Sequence, residues 1–463
     1  MSESLKCVSP VDGRVYAERI VASDAHIAAS LDAARKAQRA WRRVPIAERA
    51  KHCLAAVKAM LAMGDEIPAE LAWQMGRPVR YGAGELRGFE ERARYMIGIA
   101  EEALAPVDPG PKEGFKRWIA REPLGLVLVV APWNYPFLTA VNSIVPALMS
   151  GNAVLLKHAA QTLLVGDRFQ RAFDAADLPE GLFQNLTLSH KQTAAIISTR
   201  SVDQVNFTGS VAGGQAMEAA ASGRFLGVGL ELGGKDPGYV RADANLTHAI
   251  DTLVDGAFFN SGQSCCGIER IYVDKRVYRD FVDGFVALTK TYVLGDPLDE
   301  ATTLGPLVRA EAAAFVRGQI DEAARLGARA LIDTKTFARD AVGTPYMAPQ
   351  VVVDVSHEMS LMREESFGPV VGMMAVEDDE EAVRLMNDSP YGLTAAIFTE
   401  DADAVARLGP DIETGTVFMN RCDYLDPALA WTGVKDTGRG VTLSRLGYET
   451  LTRPKSYHLR IKI

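Results

Sequence analysis

The segment NSGQSCC, residues 260–266, carries the strongest candidate for a nucleophile in this sequence. It follows a predicted helix, 246–260, and its glycine favours a turn that exposes the residues after it. A thiolate attacks carbonyl carbon readily, but it needs a nearby base or a positive field to form. Most cysteines are instead small, inert core residues, and for Cys265 and Cys266 the residues alone leave both interpretations open. The inert interpretation is favoured for the other three cysteines, Cys7, Cys53 and Cys422.

Two more polar residues stand at predicted strand ends, where α/β enzymes place functional side chains. Glu231 opens ELGGK (231–235), and partial burial there would raise its pKa toward that of a general base. Asn134 lies in APWNYP (131–136) between two prolines that fix the turn, so its amide could donate to a developing oxyanion. A solvated surface glutamate and a plain aromatic turn are the respective alternatives.

A Gly-rich junction between a predicted strand and a helix occurs at NFTGS (206–210), with Gly213 and Gly214 beyond it. A helix N-terminus of this kind offers unpaired N–H groups to a phosphate. The pattern is not GxGxxG and carries little weight alone. The seven histidines are scattered, without the spacing of a Ser/His/Asp set or of metal ligands, so the sequence predicts neither a hydrolase triad nor a metal site.

Alternating strands and helices in the middle of the chain would position these groups. The run LGLVLVVA (124–131) is typical of a strand buried on both faces of a parallel sheet. The alternation predicts an open, doubly wound sheet with ligands at the carboxyl ends of its strands. Further strands are predicted at 153–157, 182–188, 203–207 and 225–232, with helices at 137–150 and 163–175.

A second α/β series is predicted from about residue 234 onward. Residues 24–61 and 67–104, before the first sheet, are rich in helix-forming residues. The segment 114–122 and the tail SYHLRIKI fit neither series. The tail alternates as a strand does, and we expect it to pair with another edge, in this chain or in a second subunit. The strands of the second series are predicted at 269–274, 351–355, 368–376, 395–399 and 415–420, and its helices at 277–292, 312–326, 379–386 and 402–408.

Composition favours a soluble enzyme. The 463 residues suit two large or three smaller domains, and 48% apolar with 24% charged residues is ordinary globular usage. Subtracting 59 acidic from 50 basic residues gives a net charge of −9, which disfavours nucleic acid as a partner. No apolar run approaches the roughly 18 residues of a membrane span, the N-terminus does not resemble a signal peptide, and five cysteines make no disulfide framework. We therefore expect a cytoplasmic enzyme with no membrane partner.

Together these segments resemble the NAD(P)-dependent aldehyde dehydrogenase superfamily over nearly the whole chain. Ten motifs occur in the family's order: APWNYP, GNAVLLK, NFTGS, ELGGKDP, FFNSGQSCC, GDP with LGPLV, EESFGPV, YGLTAAIFT, GTVFMN and GVKDTGRG. The resemblance implies an α/β, aldehyde dehydrogenase-like fold. A Rossmann-like cofactor domain would span 1–107 and 124–233, an α/β catalytic domain 234–444, and a small β oligomerisation or bridging element 108–123 and 445–463.

The resemblance also implies a reaction, the oxidation of an aldehyde to a carboxylic acid with NAD or NADP. Cys265 would attack the aldehyde to form a thiohemiacetal and then a thioester, while Asn134 and the Cys265 backbone N–H hold the oxyanion. Glu231 would activate the water that hydrolyses the thioester, which favours a free acid over transfer to CoA. Members of the family are usually dimers or tetramers, so we expect a homodimer or homotetramer. The implied cofactor-binding residues are Trp133, Lys157, Gly209, Ser210, Glu365 and Phe367.

The sequence departs from the family's pattern in three places. His158 and Ala160 stand where many NAD-preferring members have proline and glutamate, so the preference between NAD and NADP stays open. His158 is interpreted as a neutral surface imidazole, with a phosphate contact as the alternative. Trp431 replaces the phenylalanine of a Pro-Phe-Gly-Gly segment and either alters the substrate entrance or fills space. Cys266 is either a packed neighbour of Cys265 or its partner in a reversible, inactivating disulfide.

Three other functions are weighed against an ordinary aldehyde dehydrogenase. A semialdehyde dehydrogenase, for example for succinate semialdehyde, would need a cationic anchor, for which Arg421 is a candidate beside the simpler interpretation of a solvated arginine. A non-catalytic member is disfavoured because Cys265, Glu231 and Asn134 are all present. A cofactor-free cysteine hydrolase is disfavoured because no histidine is paired with Cys265. The residues do not define which aldehyde is oxidised.

Overall fold

Two largely parallel β-sheets with helices packed on them organise residues 3–463, the part of the chain that the computed structural model describes. Its α-helices, in chain order, are α1 (Asp24–Trp41), α2 (Ile46–Leu61), α3 (Ile67–Met75), α4 (Val79–Ala103), α5 (Pro136–Met149), α6 (Leu163–Asp174), α7 (His190–Ser198), α8 (Val211–Ala221), α9 (Leu246–Phe258), α10 (Tyr278–Thr289), α11 (Ala310–Arg325), α12 (Ser360–Arg363), α13 (Asp379–Asn387), α14 (Ala402–Leu408) and α15 (Ser444–Glu449).

The strands follow the same chain order and include several that are only two residues long. They are β1 (Ser4–Val8), β2 (Val15–Ile20), β3 (Phe115–Pro123), β4 (Leu126–Val130), β5 (Ala153–Lys157), β6 (Phe183–Asn185), β7 (Gln204–Thr208), β8 (Gly227–Glu231), β9 (Asp236–Val240), β10 (Ile268–Asp274), β11 (Arg329–Ala330), β12 (Gln350–Val353), β13 (Val370–Val376), β14 (Tyr391–Gly392), β15 (Thr394–Phe398), β16 (Thr416–Met419), β17 (Val434–Lys435), β18 (Gly438–Arg439) and β19 (Thr452–Arg460).

The first sheet has six strands in the order β18-β8-β7-β4-β5-β6, parallel except for β18. Its central strand β4 is buried at every position, as the apolar run LGLVLVVA predicts, and β5 has the predicted bounds. The carboxyl ends of β4, β5, β7 and β8 lead into the segments that the sequence predicts to be functional. This edge of the sheet is where ligands bind in open α/β folds.

The second sheet has seven strands in the order β11-β12-β13-β10-β9-β15-β16, with only β11 antiparallel among them. Four residues, 232–235, join β8 of the first sheet to β9 of the second. Glu231 ends β8, and the loop from α9 to β10 carries Cys265. The two sheets therefore meet where the candidate residues cluster.

Of the helices before the first sheet, α4 provides part of one wall of the site. The helix α4 packs along α5. The carboxyl end of α5 is tied to α1 and α2, because Trp41 Nε1 donates to the Leu148 carbonyl at 2.8 Å and Arg49 Nη1 to the Met149 carbonyl at 2.8 Å. These donors satisfy carbonyl groups that a helix leaves unpaired at its end.

The segment 114–122 and the C-terminal tail pair with each other, as the antiparallel strands β3 and β19 of one chain. Trp118 and Tyr457 stack across this pair with ring centroids 4.4 Å apart. The hairpin of β1 and β2 has no counterpart among the sequence predictions. The strand β18 lies within the range 234–444 predicted for the catalytic domain, yet it pairs with β8 of the first sheet. Among residues 3–463 no helix is long and apolar enough to cross a membrane.

Candidate active site

The loop that carries Cys265 is held by buried hydrogen bonds from its own side chains. Asn260 and Ser261 adopt left-handed backbone conformations, with φ of 53° and 56°, which are unfavourable unless the surroundings fix them. Ser261 Oγ donates to the Gly305 carbonyl at 2.8 Å, and Gln263 Oε1 accepts from the Val308 N–H at 2.8 Å. The loop is therefore rigid at the point where it presents the partly exposed Cys265.

Cys266, next along the chain, is buried and points at a carboxylate. Its Sγ donates to Asp423 Oδ1 at 3.0 Å, and Ser264 Oγ donates to the same oxygen at 2.8 Å. The neighbouring Cys265 thiol, burial and Asp423 all raise the pKa of Cys266. Cys265 is thus the thiol available for chemistry, and both cysteines are free thiols here. A disulfide between them stays a prediction.

Asn134 follows β4 and is tied to the nucleophile loop. Its Nδ2 donates to the Gln263 carbonyl at 3.2 Å, two residues before Cys265. Its own carbonyl accepts from Asn260 Nδ2 at 3.3 Å and from the Arg77 guanidinium. Asn134 is buried and does not line the cavity in front of Cys265.

Glu231, at the end of β8, lines the same cavity as Cys265. Its carboxylate accepts from Thr208 Oγ1 at 3.2 Å and from Thr442 Oγ1 at 2.5 Å. Burial raises the pKa of Glu231, while the two hydroxyl groups and the charge of Arg92 partly oppose that rise. A carboxylate with a raised pKa, fixed beside a thiol, has the properties of a general base.

The cavity in front of Cys265 has a volume of about 400 Å³. The helices α4 and α5 form one wall, and Trp431 is buried at 5% exposure in another. Arg421 is exposed, does not line the cavity and lies over the Tyr424 ring at 3.4 Å. The aromatic residues that line the cavity are Tyr81, Tyr135, Phe259, Tyr424 and Trp431.

Lys157, Gly209 and Ser210 lie at the carboxyl edge of the first sheet. Lys157 is buried at 6% exposure without an acidic partner in the described part of the chain, and burial lowers its pKa. Ser210 caps α8, where its Oγ accepts from the Gly213 N–H at 3.2 Å. A buried amine that lacks a carboxylate and a helix N-terminus together suit the sugar and phosphate groups of a dinucleotide.

Trp133 and Phe367 meet edge to face, with ring centroids 5.7 Å apart. Phe367 has φ of 52°, and its N–H donates to Glu269 at 2.9 Å. Ser366 N–H donates to the same carboxylate at 2.8 Å, and the buried Lys235 pairs with it. This ion pair holds the Phe367 loop in a conformation that would otherwise be unfavourable.

Glu365 lies against the two glycines that follow β8. Its Oε1 accepts from the Gly234 N–H at 3.0 Å, and a Cβ on Gly233 would sit 2.3 Å from the carboxylate. Burial, reinforced by the charge of Glu269, raises the pKa of Glu365 to about 8. A Cβ on Gly234 would sit 2.3 Å from the Cys265 carbonyl oxygen, so this glycine segment brings Glu365 and Cys265 together.

The expected surface position of His158 is wrong, because the imidazole is buried. Its Nδ1 accepts from the Ala159 N–H at 2.9 Å, and its Nε2 lies 3.3 Å from the Pro136 carbonyl. Burial lowers the pKa of His158 to about 4, so the ring is neutral at pH 7, as expected. Within residues 3–463 no group of His, Cys, Asp or Glu is arranged to hold a metal ion.

A family model described as "Aldehyde dehydrogenase family" matches residues 1–457. The chain belongs to this family. Succinate-semialdehyde dehydrogenase [NADP(+)] of Mycobacterium avium (strain 104) is 34% identical over 452 residues, covering 97% of this chain and 95% of the relative. Succinate semialdehyde dehydrogenase [NAD(P)+] Sad of Escherichia coli (strain K12) is 33% identical over 411 residues, covering 88% of each chain.

Solved structures agree with these relatives. The NADP-dependent glyceraldehyde-3-phosphate dehydrogenase from Bacillus halodurans C-125, complexed with NADP, superposes with a TM-score of 0.93 at 30% identity, covering 99% of this chain and 96% of that chain. The predicted family, the aldehyde dehydrogenase-like α/β fold and the enzyme class are confirmed. NAD(P)-dependent oxidation of an aldehyde is the reaction of the family, and the predicted cofactors, NAD or NADP, agree with it.

Sequence reasoning missed the buried charges behind and beside the site. Glu85 and Arg92 are seven residues apart on α4, a spacing that places them on one helical face, and both line the cavity. This spacing was the one sequence signal that could have indicated a charged, inward-facing side of α4. It was easily overlooked, because charged residues on a helix usually face solvent. Lys235 and Glu269 are far apart in the sequence, and nothing in either motif indicates their pairing.

Proposed function

We propose that the protein oxidises an aldehyde to a free carboxylic acid through a thioester on Cys265. The observation that carries this proposal is the shared cavity, because the Cys265 thiol and the Glu231 carboxylate line the same space. A nucleophile and a general base in one cavity are the two groups that thioester formation and hydrolysis require. Cys266 is occupied by Asp423, so Cys265 is the attacking residue.

Attack begins when the Cys265 thiolate adds to the aldehyde carbon and a thiohemiacetal forms. The Cys265 backbone N–H donates to its oxygen. The Asn134 amide, which is buried and does not line the cavity, must turn toward it to add a second donor. One N–H of Asn134 is engaged by the Gln263 carbonyl, which leaves the second for the oxyanion. Loss of one such donor typically lowers the rate by about 10²–10³-fold.

Hydrolysis depends on Glu231. Bound NAD or NADP supplies the hydride acceptor for the oxidation. Glu231 then takes a proton from the water that attacks the thioester carbon, and the Cys265 thiolate leaves as the acid is released. Thr208 and Thr442 fix both oxygens of the Glu231 carboxylate, so the base approaches the thioester in one orientation.

The cofactor contacts follow from the free groups at the sheet edge. The buried amine of Lys157 would bind ribose hydroxyl groups, and the start of α8 would bind the pyrophosphate. The Glu365 carboxylate and the paired rings would position the nicotinamide ribose and ring. We propose either NAD or NADP, since position 160 carries no acid that would repel a 2′-phosphate. The proposed set is Trp133, Lys157, Gly209, Ser210, Glu365 and Phe367.

The substrate we propose is a semialdehyde, because relatives that match 88% or more of the chain are named for succinate semialdehyde. We further propose the division into a cofactor domain (1–107, 124–233) and a catalytic domain (234–444). The exposed pair β3 and β19, within 108–123 and 445–463, would join subunits into a homodimer or homotetramer. Five free cysteines, one of which must stay a thiol to react, favour the reducing cytoplasm.

The test is NAD(P)H formation over a panel of aliphatic, aromatic and carboxylated aldehydes, each with NAD and with NADP. Wild-type turnover is expected, and Cys265→Ala should abolish it. Glu231→Gln should retain a first burst of NAD(P)H while steady turnover falls by about 10²–10⁴-fold, because the base acts after oxidation. Cys266→Ala is the matched control and should retain turnover. Full steady turnover in Glu231→Gln would contradict the assignment of the base.

A further inference from the structure

Arg92 is a buried cation on the wall of the active-site cavity, and it has no acidic partner among residues 3–463. It is 7% exposed and lines the cavity together with Cys265 and Glu231. Its hydrogen bonds go to neutral acceptors, from Nη1 to the Leu138 carbonyl at 2.9 Å and to Asn142 Oδ1 at 3.4 Å. A buried charge with only neutral partners is unfavourable unless a ligand compensates it.

The rest of the guanidinium has no acceptor in the described part of the chain. Nη1 makes both hydrogen bonds, which leaves the edge formed by Nε and Nη2 without a partner. Beside it, the amide nitrogen of Asn142 is buried and also lacks an acceptor. Asn142 is 2% exposed and lines the same cavity. Arg92 and Asn142 therefore both leave N–H groups without an acceptor, and both residues line the same cavity.

The acids near Arg92 are committed elsewhere. Glu85, two turns before it on α4, pairs with Arg77 and accepts from the first N–H groups of α5, those of Phe137 and Leu138. Glu231 accepts from two threonine hydroxyl groups. Glu85, Glu231 and Glu91 act on Arg92 only through their charge, without a hydrogen bond or an ion pair. The Nε and Nη2 edge of Arg92 therefore stays without a partner on the cavity wall.

We propose that Arg92 binds an anionic group, a carboxylate, at the far end of the aldehyde substrate. The inference rests on the proposed function and identifies the residue that selects its substrate. A carboxylate fits the free edge of Arg92 in a bidentate arrangement, with one oxygen on Nε and the other on Nη2. Asn142 adds a further donor, and the aldehyde at the other end of the molecule reaches Cys265. Neutral aldehydes leave the guanidinium unpaired and bind less well.

The first experiment compares succinate semialdehyde with its methyl ester in the wild-type enzyme, which needs no variant to fold. The two compounds share the aldehyde end and differ in the charge at the far end. The free acid should have a kcat/KM about 10- to 150-fold higher, as expected for a hydrogen bond to a charged group. Equal values, or a preference for the ester, would overturn the inference while leaving aldehyde oxidation established. Turnover of neither compound nor any other aldehyde would overturn the proposed function as well.

The second experiment removes the charge. Arg92→Met should abolish the preference for the free acid. The kcat/KM of the free acid should fall by about 10- to 150-fold, mainly through a raised KM. The kcat/KM of the ester should change by less than about 3-fold, because the ester has no charge to pair with Arg92. Arg92→Lys should restore part of the preference. Arg94→Met is the matched control, because it removes an exposed arginine that pairs with Glu90 on the same helix. If Arg92→Met lowers kcat/KM equally for both substrates and alters the pH profile of the rate, Arg92 acts on the pKa of Glu231 instead. That result would overturn the inference.

Discussion

Two regions of the molecule bury charged side chains in opposite ways. Behind the site, Lys235 pairs with Glu269, and that carboxylate also accepts from two backbone N–H groups of the Phe367 loop. Arg92 on the cavity wall and Lys157 at the carboxyl edge of the first sheet are also buried, but neither has an acidic partner in the described residues. Pairing in the first region fixes a loop, whereas the unpaired charges in the second remain free to bind a ligand.

The buried ion pair and the unpaired buried cations differ in what they contribute to the stability of the fold. Breaking a buried pair by removing one partner leaves an uncompensated charge, which destabilises a protein by about 3–5 kcal/mol. A buried cation without a partner already lowers the stability of the fold, and a bound anion or polar ligand offsets that loss. The same residue type therefore contributes to stability in one region and to binding in the other.

Lys235→Met should produce the largest change in stability. We expect the free energy of unfolding to fall by about 3–5 kcal/mol, because Glu269 is left buried without its cation. Urea unfolding of the variant and of the wild type measures this. Lys275→Met removes one partner of an exposed ion pair and serves as control, with an expected effect of about 0–1 kcal/mol. Equal effects of the two variants would remove the distinction between a buried pair and a surface pair.

Lys157→Met should weaken cofactor binding and leave stability almost unchanged, the opposite of what we expect for Lys235→Met. The KM for NAD or NADP should rise by about 10- to 100-fold because a charged hydrogen bond is lost. The free energy of unfolding without cofactor should stay within about 1 kcal/mol of the wild type, since no ion pair is broken. Cofactor-dependent initial rates and urea unfolding of the same samples separate the two quantities. A loss of stability as large as that of Lys235→Met would contradict the comparison.

A further effect, spread over several pH units, concerns Glu365 and the pH dependence of stability, because the pKa of Glu365 is raised from 4.5 to about 8 in the folded protein. The folded state then holds a proton that the unfolded state releases, so stability falls as the pH rises from 4.5 to 8, by at most about 1.4 kcal/mol per pH unit. Glu365→Gln should flatten that slope. Urea unfolding across this pH range measures it, with the exposed neighbour in Glu364→Gln as control. An unchanged slope in Glu365→Gln would contradict the raised pKa.

The central strands of the first sheet could be predicted because their apolar composition indicates that both faces of the sheet are buried. Leu126–Val130 consists only of leucine and valine, and it lies at the centre of the sheet with every residue buried. Cys265, Glu231 and Asn134 could be selected from the sequence because each lies in a short motif at a strand or helix end, and their catalytic roles stay predictions. His158 was misplaced because a histidine after a strand gives no sign of the Pro136 carbonyl and Thr162 hydroxyl group that enclose it.

The rest depends on contacts between distant parts of the chain. Arg92 donates a hydrogen bond to Asn142 on another helix. Glu231 accepts one from Thr442, which lies 211 residues further along the chain. Periodicity and motifs describe neighbours in sequence, so they do not specify such pairs. The short strand β18 was missed for the same reason, because two residues gain strand structure only by pairing with β8.

The pairing of β18 with β8 has a consequence for how the chain matures during synthesis. A ribosome completes β8, with Glu231 at its end, about two hundred residues before it reaches β18 and Thr442. The whole seven-stranded sheet, from β9 to β16, is made in between. Contacts so distant in sequence form late in folding, because the loop between them must first be closed. The nascent chain can therefore form most of both sheets before the Glu231 carboxylate is fixed, because Thr442 and the β18 partner of β8 are made only afterwards.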